Sequence, residues 1–335
     1  MSFWSRIKAS AARWFTRAPR AGHYVEGTAF AWRGWLATNP TVWPRRRYLL
    51  YVPAGASRFR PMPLVVLLHG CRQTPEEIAR ATRIAALADR LGSYVLLPRQ
   101  KDSANPYRCW NWFDGATASG RGEAAIVAAM MRKAMRWRRA DEARTAAIGM
   151  SAGAALAAIL GVRHGDSVRA VVSVAGIACG AAASPLTALT VMKRGPETDV
   201  AAVGREAGDG AGAGARCVPL LAIHGRSDDV VAPRNAAALV RQFLARNGVD
   251  VPKGSESTLP DPDHARRESP IRGHGFALRE WQCGDVLAAR LVEIDDVGHA
   301  WSGGDASLPF NDAAGPDATA MAGAFLDLVW ARAPA

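Results

Sequence analysis

A serine, an aspartate and a histidine each follow a short apolar run in this sequence. Ser151 lies at the centre of the pentapeptide GMSAG, a match to the pattern G-x-S-x-G. Asp228 follows the run VPLLAI, and His299 follows ARLVEI. A serine hydroxyl becomes an effective nucleophile only when a base takes its proton and an acid orients that base. The three residues, in this order, predict acyl transfer with Ser151 as nucleophile, His299 as base and Asp228 as orienting acid.

The pentapeptide alone is a weak signal. In a chain with 32 glycines, short glycine-containing patterns also arise by chance, so the case depends on the three residues together. Asp229 stays open as the alternative acid, because it lies in the same loop as Asp228. Asp295 and Asp296 are too close to His299 in sequence and are expected to cap their own loop.

Acyl transfer also needs two backbone N–H groups that bind the developing oxyanion. One is expected from Ala152, the residue directly after the serine. The second is expected from the loop after an early strand, which reads HGCRQ, and we assign it to Cys71. The glycine of this loop would let the backbone approach a substrate. His69 opens the loop and is predicted either to shape it or to contact substrate.

These loops need a sheet that brings them together, and the apolar runs predict one. Predicted strands lie at 47–52, 64–68, 94–97, 145–148, 170–174, 218–223 and 289–294. Predicted helices lie at about 74–92, 121–139, 152–163, 233–247 and 316–332, and the first opens on TPEE, a capping box. Apolar strands that alternate with helices are typical of an α/β fold with a mostly parallel central sheet and helices on both faces. In such a sheet, ligands bind where the strands end.

The positive charge of the chain is concentrated near its N-terminus. The formal net charge is +12, and residues 1–60 hold 11 Lys/Arg against a single acidic residue. A basic nucleic-acid groove within the fold is therefore not expected. Trp4 and Ile7 recur at helical spacing among basic residues, so residues 1–46 are predicted to form a basic amphipathic arm. The arm is expected either to bind an anionic granule or membrane surface or to pack on its own domain.

The remaining residues, 47–335, are predicted to form one catalytic domain. Two segments interrupt its alternation of strands and helices. Residues 195–216 are rich in glycine, alanine and charge, and residues 250–275 are polar and proline-rich. Both are expected to be flexible or inserted surface loops.

The five cysteines do not predict a metal centre. They form no C-x-x-C pair, and no Cys/His cluster has the spacing of a zinc site. The chemistry of a serine, a histidine and an aspartate needs no cofactor, so none is expected.

Six segments of the chain resemble the esterases of the poly(3-hydroxybutyrate) depolymerase family. They read YLLYVPAG, LLHGCRQTPEE, NPYRCWNWF, GMSAGAALAAIL, HGRSDDVV and GHAWSGG. The resemblance covers about residues 47–330 and implies an α/β-hydrolase fold. It also implies the triad and the oxyanion hole named above, residue by residue.

The resemblance further implies a substrate cleft with flat aromatic walls. Trp110 and Trp112 would line the cleft, and Trp301 would lie beside the catalytic histidine. The alternative is that the alternate tryptophans mark a half-buried strand, with one of them in the core. Cys71 and Cys109 are expected at the same end of the sheet, where they would form a disulfide or remain two free thiols.

The expected protein is a serine esterase that acts on poly(3-hydroxybutyrate) or on short-chain 3-hydroxyalkanoate oligomers. Alternatives are a feruloyl, acetylxylan or general short-chain carboxylesterase and, in another class, a non-catalytic protein that binds a granule or membrane surface. Charges interrupt the apolar core that a signal peptide needs, and no run reaches the roughly 18 apolar residues of a membrane helix. We therefore expect a cytoplasmic or surface-associated protein, with the extracellular location of many relatives as the alternative.

Overall fold

The computed structural model describes residues 21–30, 45–57, 59–210, 216–252 and 258–332. The amphipathic stretch predicted within residues 1–20 therefore lies outside the described residues, as do residues 31–44 of the predicted arm.

Ten strands of the described chain form one sheet, in the order β1-β2-β4-β3-β5-β6-β7-β10-β9-β8. The strands are β1 His23–Phe30, β2 Arg45–Val52, β3 Met62–Leu68, β4 Tyr94–Pro98, β5 Ala140–Met150, β6 Val171–Val174, β7 Leu220–Gly225, β8 His264–Glu268, β9 Phe276–Cys283 and β10 Val286–Ile294. The six central strands, β4, β3, β5, β6, β7 and β10, pair in parallel. The outer pairs, β1 with β2, β2 with β4, β10 with β9 and β9 with β8, are antiparallel. A separate two-stranded ribbon pairs β11 Trp301–Ser302 with β12 Asn311–Asp312.

Nine helices of the described residues accompany the sheet. They are α1 Pro75–Ala81, α2 Ile84–Leu91, α3 Gly115–Ala118, α4 Gly122–Arg138, α5 Ala152–Arg163, α6 Pro185–Arg194, α7 Val200–Asp209, α8 Arg234–Arg246 and α9 Ala318–Ala331. The predicted capping box opens α1: the Glu77 amide donates to the Thr74 hydroxyl at 3.2 Å, and the Thr74 amide donates to the Glu77 carboxylate at 2.7 Å.

The sheet separates two hydrophobic cores. Residues of α4, α5 and α8 pack on one face, and residues of α1, α2 and α9 pack on the other. Within β3, Leu64 and Leu68 enter the first core, whereas Val65 and Leu67 enter the second. Each such side chain contributes about 1.5–3 kcal/mol when fully buried. The mostly parallel sheet with helices on both faces is confirmed, and the need to fill two cores explains why its strands are continuously apolar.

The boundary of the arm predicted at residue 46 is wrong, because residues 23–30 form strand β1 of the sheet. This strand runs antiparallel to β2 along its whole length. Ala29 is 5% exposed, and the rings of Tyr24 and Tyr51 lie 4.9 Å apart. Only Ala29 of HYVEGTAF is buried, so the segment carries no clear alternation from which the strand could have been predicted.

Both predicted loops also contain regular structure. Within 195–216, helix α7 begins after Asp199, whose carboxylate accepts from the Ala202 amide at 2.9 Å. A side chain at Gly204 would place its Cβ 2.2 Å from the Gln242 carbonyl oxygen of α8. Gly204 therefore allows α7 to pack closely on α8, and it is not a sign of a flexible loop. Within 250–275, β8 forms the exposed edge of the sheet, which explains its polar composition.

Candidate active site

Ser151 occupies a strained turn between the end of β5 and the start of α5. Its φ of 54° and ψ of −121° lie outside the regions that non-glycine residues ordinarily adopt. The Ser151 amide donates to the Val174 carbonyl at 2.9 Å, which ties the turn to β6. Strained conformations of this kind concentrate at functional sites.

The two glycines around Ser151 are required by close backbone approaches. A Cβ on Gly149 would lie 2.3 Å from the Gly153 carbonyl oxygen, and one on Gly153 would lie 2.3 Å from the Leu68 carbonyl oxygen. Real Cβ atoms essentially never come so close to backbone atoms. The pattern G-x-S-x-G therefore reflects the packing of this turn against β3, and chance is not needed to explain it.

Asp228 is the acid that the structure brings to His299. The Asp228 Oδ2 atom lies 2.8 Å from His299 Nδ1, and Oδ1 accepts from the amides of Val230 and Val231 at 2.9 and 2.8 Å. Burial opposes ionisation of Asp228, but hydrogen bonds from His224 and His299 hold its pKa below the usual range. Asp229 is exposed, so the alternative acid does not reach this site.

His224 contacts Asp228, the predicted acid, and this contact was not foreseen from the sequence. Its Nε2 atom lies 3.4 Å from Asp228 Oδ2 and 2.8 Å from the Val231 carbonyl oxygen. Both of these atoms accept hydrogen bonds, so Nε2 carries the proton. His224 thus shapes the loop after β7 and also orients the carboxylate. The four-residue spacing of His224 and Asp228 was the available signal.

The predicted oxyanion loop lies against Ser151. A Cβ on Gly70 would lie 3.6 Å from the Ser151 Cβ. Around it, the Gly70 amide donates to the Gln73 side chain at 2.8 Å, whereas the Cys71 amide has no acceptor among the residues that the structure describes. Ala152 is the first residue of α5, so its amide has no intrahelical acceptor. Both predicted donors are therefore free to bind an oxyanion.

A second loop, residues 105–109, holds the oxyanion loop in place. A disulfide joins Cys71 to Cys109, with Cα atoms 4.2 Å apart. The Arg72 amide donates to the Tyr107 carbonyl at 2.7 Å, and the Arg72 guanidinium lies 5.1 Å from the centre of the Tyr107 ring. A covalent bond, a hydrogen bond and a cation–π contact thus restrain the backbone that carries the Cys71 amide.

The predicted roles of Trp110, Trp112 and Trp301 as walls of the substrate cleft are wrong. Their exposed fractions are 0%, 5% and 1%, so no flat face is available to a ligand. The indole N–H of Trp110 donates to the His69 carbonyl at 3.1 Å, and that of Trp301 donates to the Thr319 hydroxyl at 3.0 Å. The alternative, a half-buried strand with one of Trp110 and Trp112 in the core, is also wrong, because both are buried and neither lies in a strand. The hydrogen bond from Trp110 instead supports the backbone of the predicted oxyanion loop.

His69 is also buried and does not reach a substrate. Its Nδ1 atom lies 2.8 Å from the Gly70 carbonyl oxygen, and its Nε2 atom accepts from the Gln100 amide at 3.2 Å. The proton is therefore on Nδ1, and the ring is neutral. Burial lowers the pKa of His69 to about 4. His69 shapes the oxyanion loop, as one of its two predicted roles required.

A buried carboxylate, which the sequence analysis did not single out, supports both loops. Glu123 of α4 accepts from the Gln100 side chain at 2.5 Å and from the Asn111 amide at 2.7 Å, and the Arg46 guanidinium lies 3.7 Å away. Burial raises the pKa of Glu123, against these hydrogen bonds and the charge of Arg46. Gln100 also donates to the Cys109 carbonyl at 2.9 Å, so the network reaches the disulfide.

The titration of His69 predicts a loss of stability in mild acid. Its pKa is about 4 in the folded chain and about 6.5 when unfolded, so the unfolded state binds the proton first. The stabilisation is complete above about pH 6.5 and is lost as the pH falls towards 4, by on the order of 3 kcal/mol. The free energy of unfolding should therefore fall more between pH 7 and pH 4 in the wild type than in His69→Gln. His264→Gln, at an exposed histidine, is the matched control, and equal losses in all three proteins would contradict the prediction.

Neither a metal centre nor a membrane span is found in the part of the chain that the structure describes. No group of three or more His, Cys, Asp and Glu side chains there could hold a metal ion. No helix there has both the length and the apolarity to cross a membrane.

Comparisons with known proteins find similarity to esterases and to a depolymerase. The family model described as "Esterase PHB depolymerase" matches residues 46–258. Poly(3-hydroxyalkanoate) depolymerase C of Paucimonas lemoignei is 33% identical over 202 residues, which are 60% of this chain and 48% of that protein. The chain thus spans about half the length of that relative. Feruloyl esterase B of Neurospora crassa is 26% identical over 221 residues, or 64% of this chain and 73% of that protein.

A solved structure, the acetyl xylan esterase from Aspergillus awamori, shares the fold. It aligns with a TM-score of 0.63 at 18% identity and covers 84% of this chain and 94% of its own. At this identity the likeness shows the α/β-hydrolase fold alone.

Proposed function

The chain belongs to the esterase PHB depolymerase family, and on that premise we propose that it hydrolyses carboxylic esters through an acyl-enzyme on Ser151. The observation that carries the proposal is the 2.8 Å contact between His299 Nδ1 and Asp228, at the same sheet edge as the serine turn. Because Nδ1 faces the carboxylate, Nε2 is the nitrogen that is left to take a proton from Ser151.

The arrangement supports each step of acyl transfer. The Ser151 hydroxyl attacks the ester carbonyl while His299 takes its proton, and Asp228 stabilises the imidazolium that forms. The amides of Cys71 and Ala152 bind the oxyanion of the tetrahedral intermediate. His299 then donates its proton to the leaving alkoxide, which departs as the alcohol. Water hydrolyses the acyl-enzyme by the same route and releases the acid.

We further propose that the substrate is poly(3-hydroxybutyrate) or a short-chain 3-hydroxyalkanoate oligomer. The support is the 33% identity to a protein named for poly(3-hydroxyalkanoate) depolymerisation, against 26% to one named for feruloyl esters. The experiment compares kcat/KM of the purified protein on polymer granules, 3-hydroxybutyrate oligomers, methyl ferulate and acetylated xylan, with Ser151→Ala as background.

Each outcome of that comparison favours one function. The highest kcat/KM on the polymer or its oligomers supports the proposal, whereas a higher value on methyl ferulate or acetylated xylan supports the related esterases. Binding to granules without hydrolysis of any ester would identify a surface-binding protein instead.

We also propose that the basic N-terminal residues hold the enzyme at an anionic interface. The support is the charge of the sequence, since each basic residue near such a surface contributes about 1 kcal/mol. Deletion of residues 1–20 leaves β1 intact and should weaken sedimentation with granules or anionic vesicles, much as high salt does. Hydrolysis of a soluble ester should not change. Equal sedimentation of the shortened and the full-length protein would contradict the proposal.

For the location, we propose the extracellular alternative. The support is the disulfide between Cys71 and Cys109, because such bonds persist in oxidising compartments.

A further inference from the structure

An aromatic side chain outside the predicted site lies next to the catalytic histidine. The ring centroids of Phe310 and His299 are 6.5 Å apart, and the rings are nearly perpendicular at 81°. Phe310 keeps 37% of its surface exposed, whereas the three predicted tryptophans are buried. It thus presents the accessible aromatic surface that was expected of them.

The backbone holds Phe310 in an unfavourable conformation. Its φ is 62°, in the left-handed region that a bulky residue rarely adopts, at a cost of about 1–3 kcal/mol. The Phe310 carbonyl accepts from the Trp301 amide at 2.8 Å, and the Asn311 side chain donates to the Pro309 carbonyl at 2.9 Å. Phe310 directly precedes β12, and these bonds hold its backbone beside Trp301, which follows His299 by two residues. The part of the ring that stays exposed gains nothing from burial, so contact with a ligand gives this surface a role that packing does not.

The reaction decides which part of an ester meets this ring. His299 protonates the leaving alkoxide, so the alcohol portion of the substrate must lie against the imidazole. The oxyanion loop, in contrast, binds the carbonyl oxygen from the side of Gly70 and Cys71. A ring that contacts His299 therefore borders the alcohol portion.

We propose that Phe310 forms a wall of the leaving-alcohol subsite and selects esters of apolar alcohols. The inference rests on the proposed ester hydrolysis. In a 3-hydroxyalkanoate polyester, the leaving alcohol is the next unit of the chain, whose alkyl branch on the carbinol carbon would pack on the ring.

The alcohol leaves before deacylation, which makes the role of Phe310 measurable. Phe310→Ala should lower kcat/KM for benzyl butyrate about tenfold relative to methyl butyrate, a typical loss for an apolar contact. The ratios within an acyl series of methyl esters, from acetate to hexanoate, should stay as in the wild type. The rate at which water hydrolyses a preformed butyryl-enzyme should also stay unchanged.

Two further variants separate contact with substrate from a structural role. Phe310→Asn should keep or raise the melting temperature, because asparagine adopts the left-handed region readily, and should still lose the preference for benzyl butyrate. Phe59→Ala, at a phenylalanine that is 89% exposed, is the matched control and should keep the wild-type ratio.

Three results would overturn the inference: an unchanged benzyl-to-methyl ratio, an equal loss on both esters, or a change confined to the acyl series. Failure of the proposed function is a different outcome, in which the wild type hydrolyses none of these esters faster than Ser151→Ala does.

Discussion

Ser151→Ala is expected to lower kcat on a soluble ester by about a millionfold, as loss of the nucleophile does in subtilisin. The remaining site keeps its oxyanion donors, but no atom is left to form the acyl-enzyme. Alanine would inherit the φ of 54° at this turn. Because serine and alanine both carry a Cβ, the backbone strain is the same in both proteins, and the melting temperature should hardly change.

The measurement is the hydrolysis of p-nitrophenyl butyrate, combined with mass spectrometry after reaction with a fluorophosphonate. The wild type should gain one phosphonyl group on Ser151, and Ser151→Ala should gain none there. Ser227→Ala is the matched control, because Ser227 is exposed and its amide, which donates to Val297 at 3.0 Å, survives the change. Equal rates for Ser151→Ala and the wild type would refute the assignment of the nucleophile.

Asp228→Asn is expected to lower kcat by about 10,000-fold, by analogy with the serine-protease triad. The Oδ2 atom accepts from two imidazoles, His299 at 2.8 Å and His224 at 3.4 Å. An amide nitrogen in its place would oppose two N–H donors. If instead the amide turned, its nitrogen would face the amides of Val230 and Val231. In the first orientation the amide nitrogen donates to Nδ1, so His299 would favour the tautomer with its proton on Nε2, which cannot take a proton from Ser151.

Asp229→Asn provides the matched control at the neighbouring position. Asp229 is exposed, and its backbone carbonyl, which accepts from the Lys193 ammonium, is unaffected by the change. We expect less than a few-fold loss of kcat in this variant, measured on the same soluble ester. If Asp229→Asn were the inactive variant and Asp228→Asn the active one, the geometry of the acid would be wrong.

The sequence predicted those residues of the candidate site that directly follow a strand. Ser151, Asp228 and His299 each follow a strand of a parallel sheet, and such strands end at one edge, so their meeting could be inferred without coordinates. The same holds for the loop that carries Cys71. The order of residues along the chain could not decide between Asp228 and Asp229, and the contact of Asp228 with His299 does.

The walls of the site could not be predicted in the same way. Trp110 and Trp301 lie in segments that bear on the chemistry, but their indole N–H groups bond to acceptors inside the fold, which sequence does not reveal. Phe310 lacks a motif, and its position follows from the ribbon of β11 and β12. Similarly, Gly204 looked like a marker of flexibility until the approach of α8 was known.

The chain between Asp228 and His299 offers a place where residues could be inserted without disturbing the predicted site. Asp228 follows β7 and His299 follows β10, and these two strands pair directly, from Ala289 with Leu220 to Ile294 with Gly225. The chain between them visits β8, the outermost strand of the sheet, and returns. The distance between acid and base is therefore set by one parallel ladder and not by the length of the excursion. A protein engineer could extend the polypeptide beside β8, or fuse a polymer-binding module there, without moving the catalytic pair.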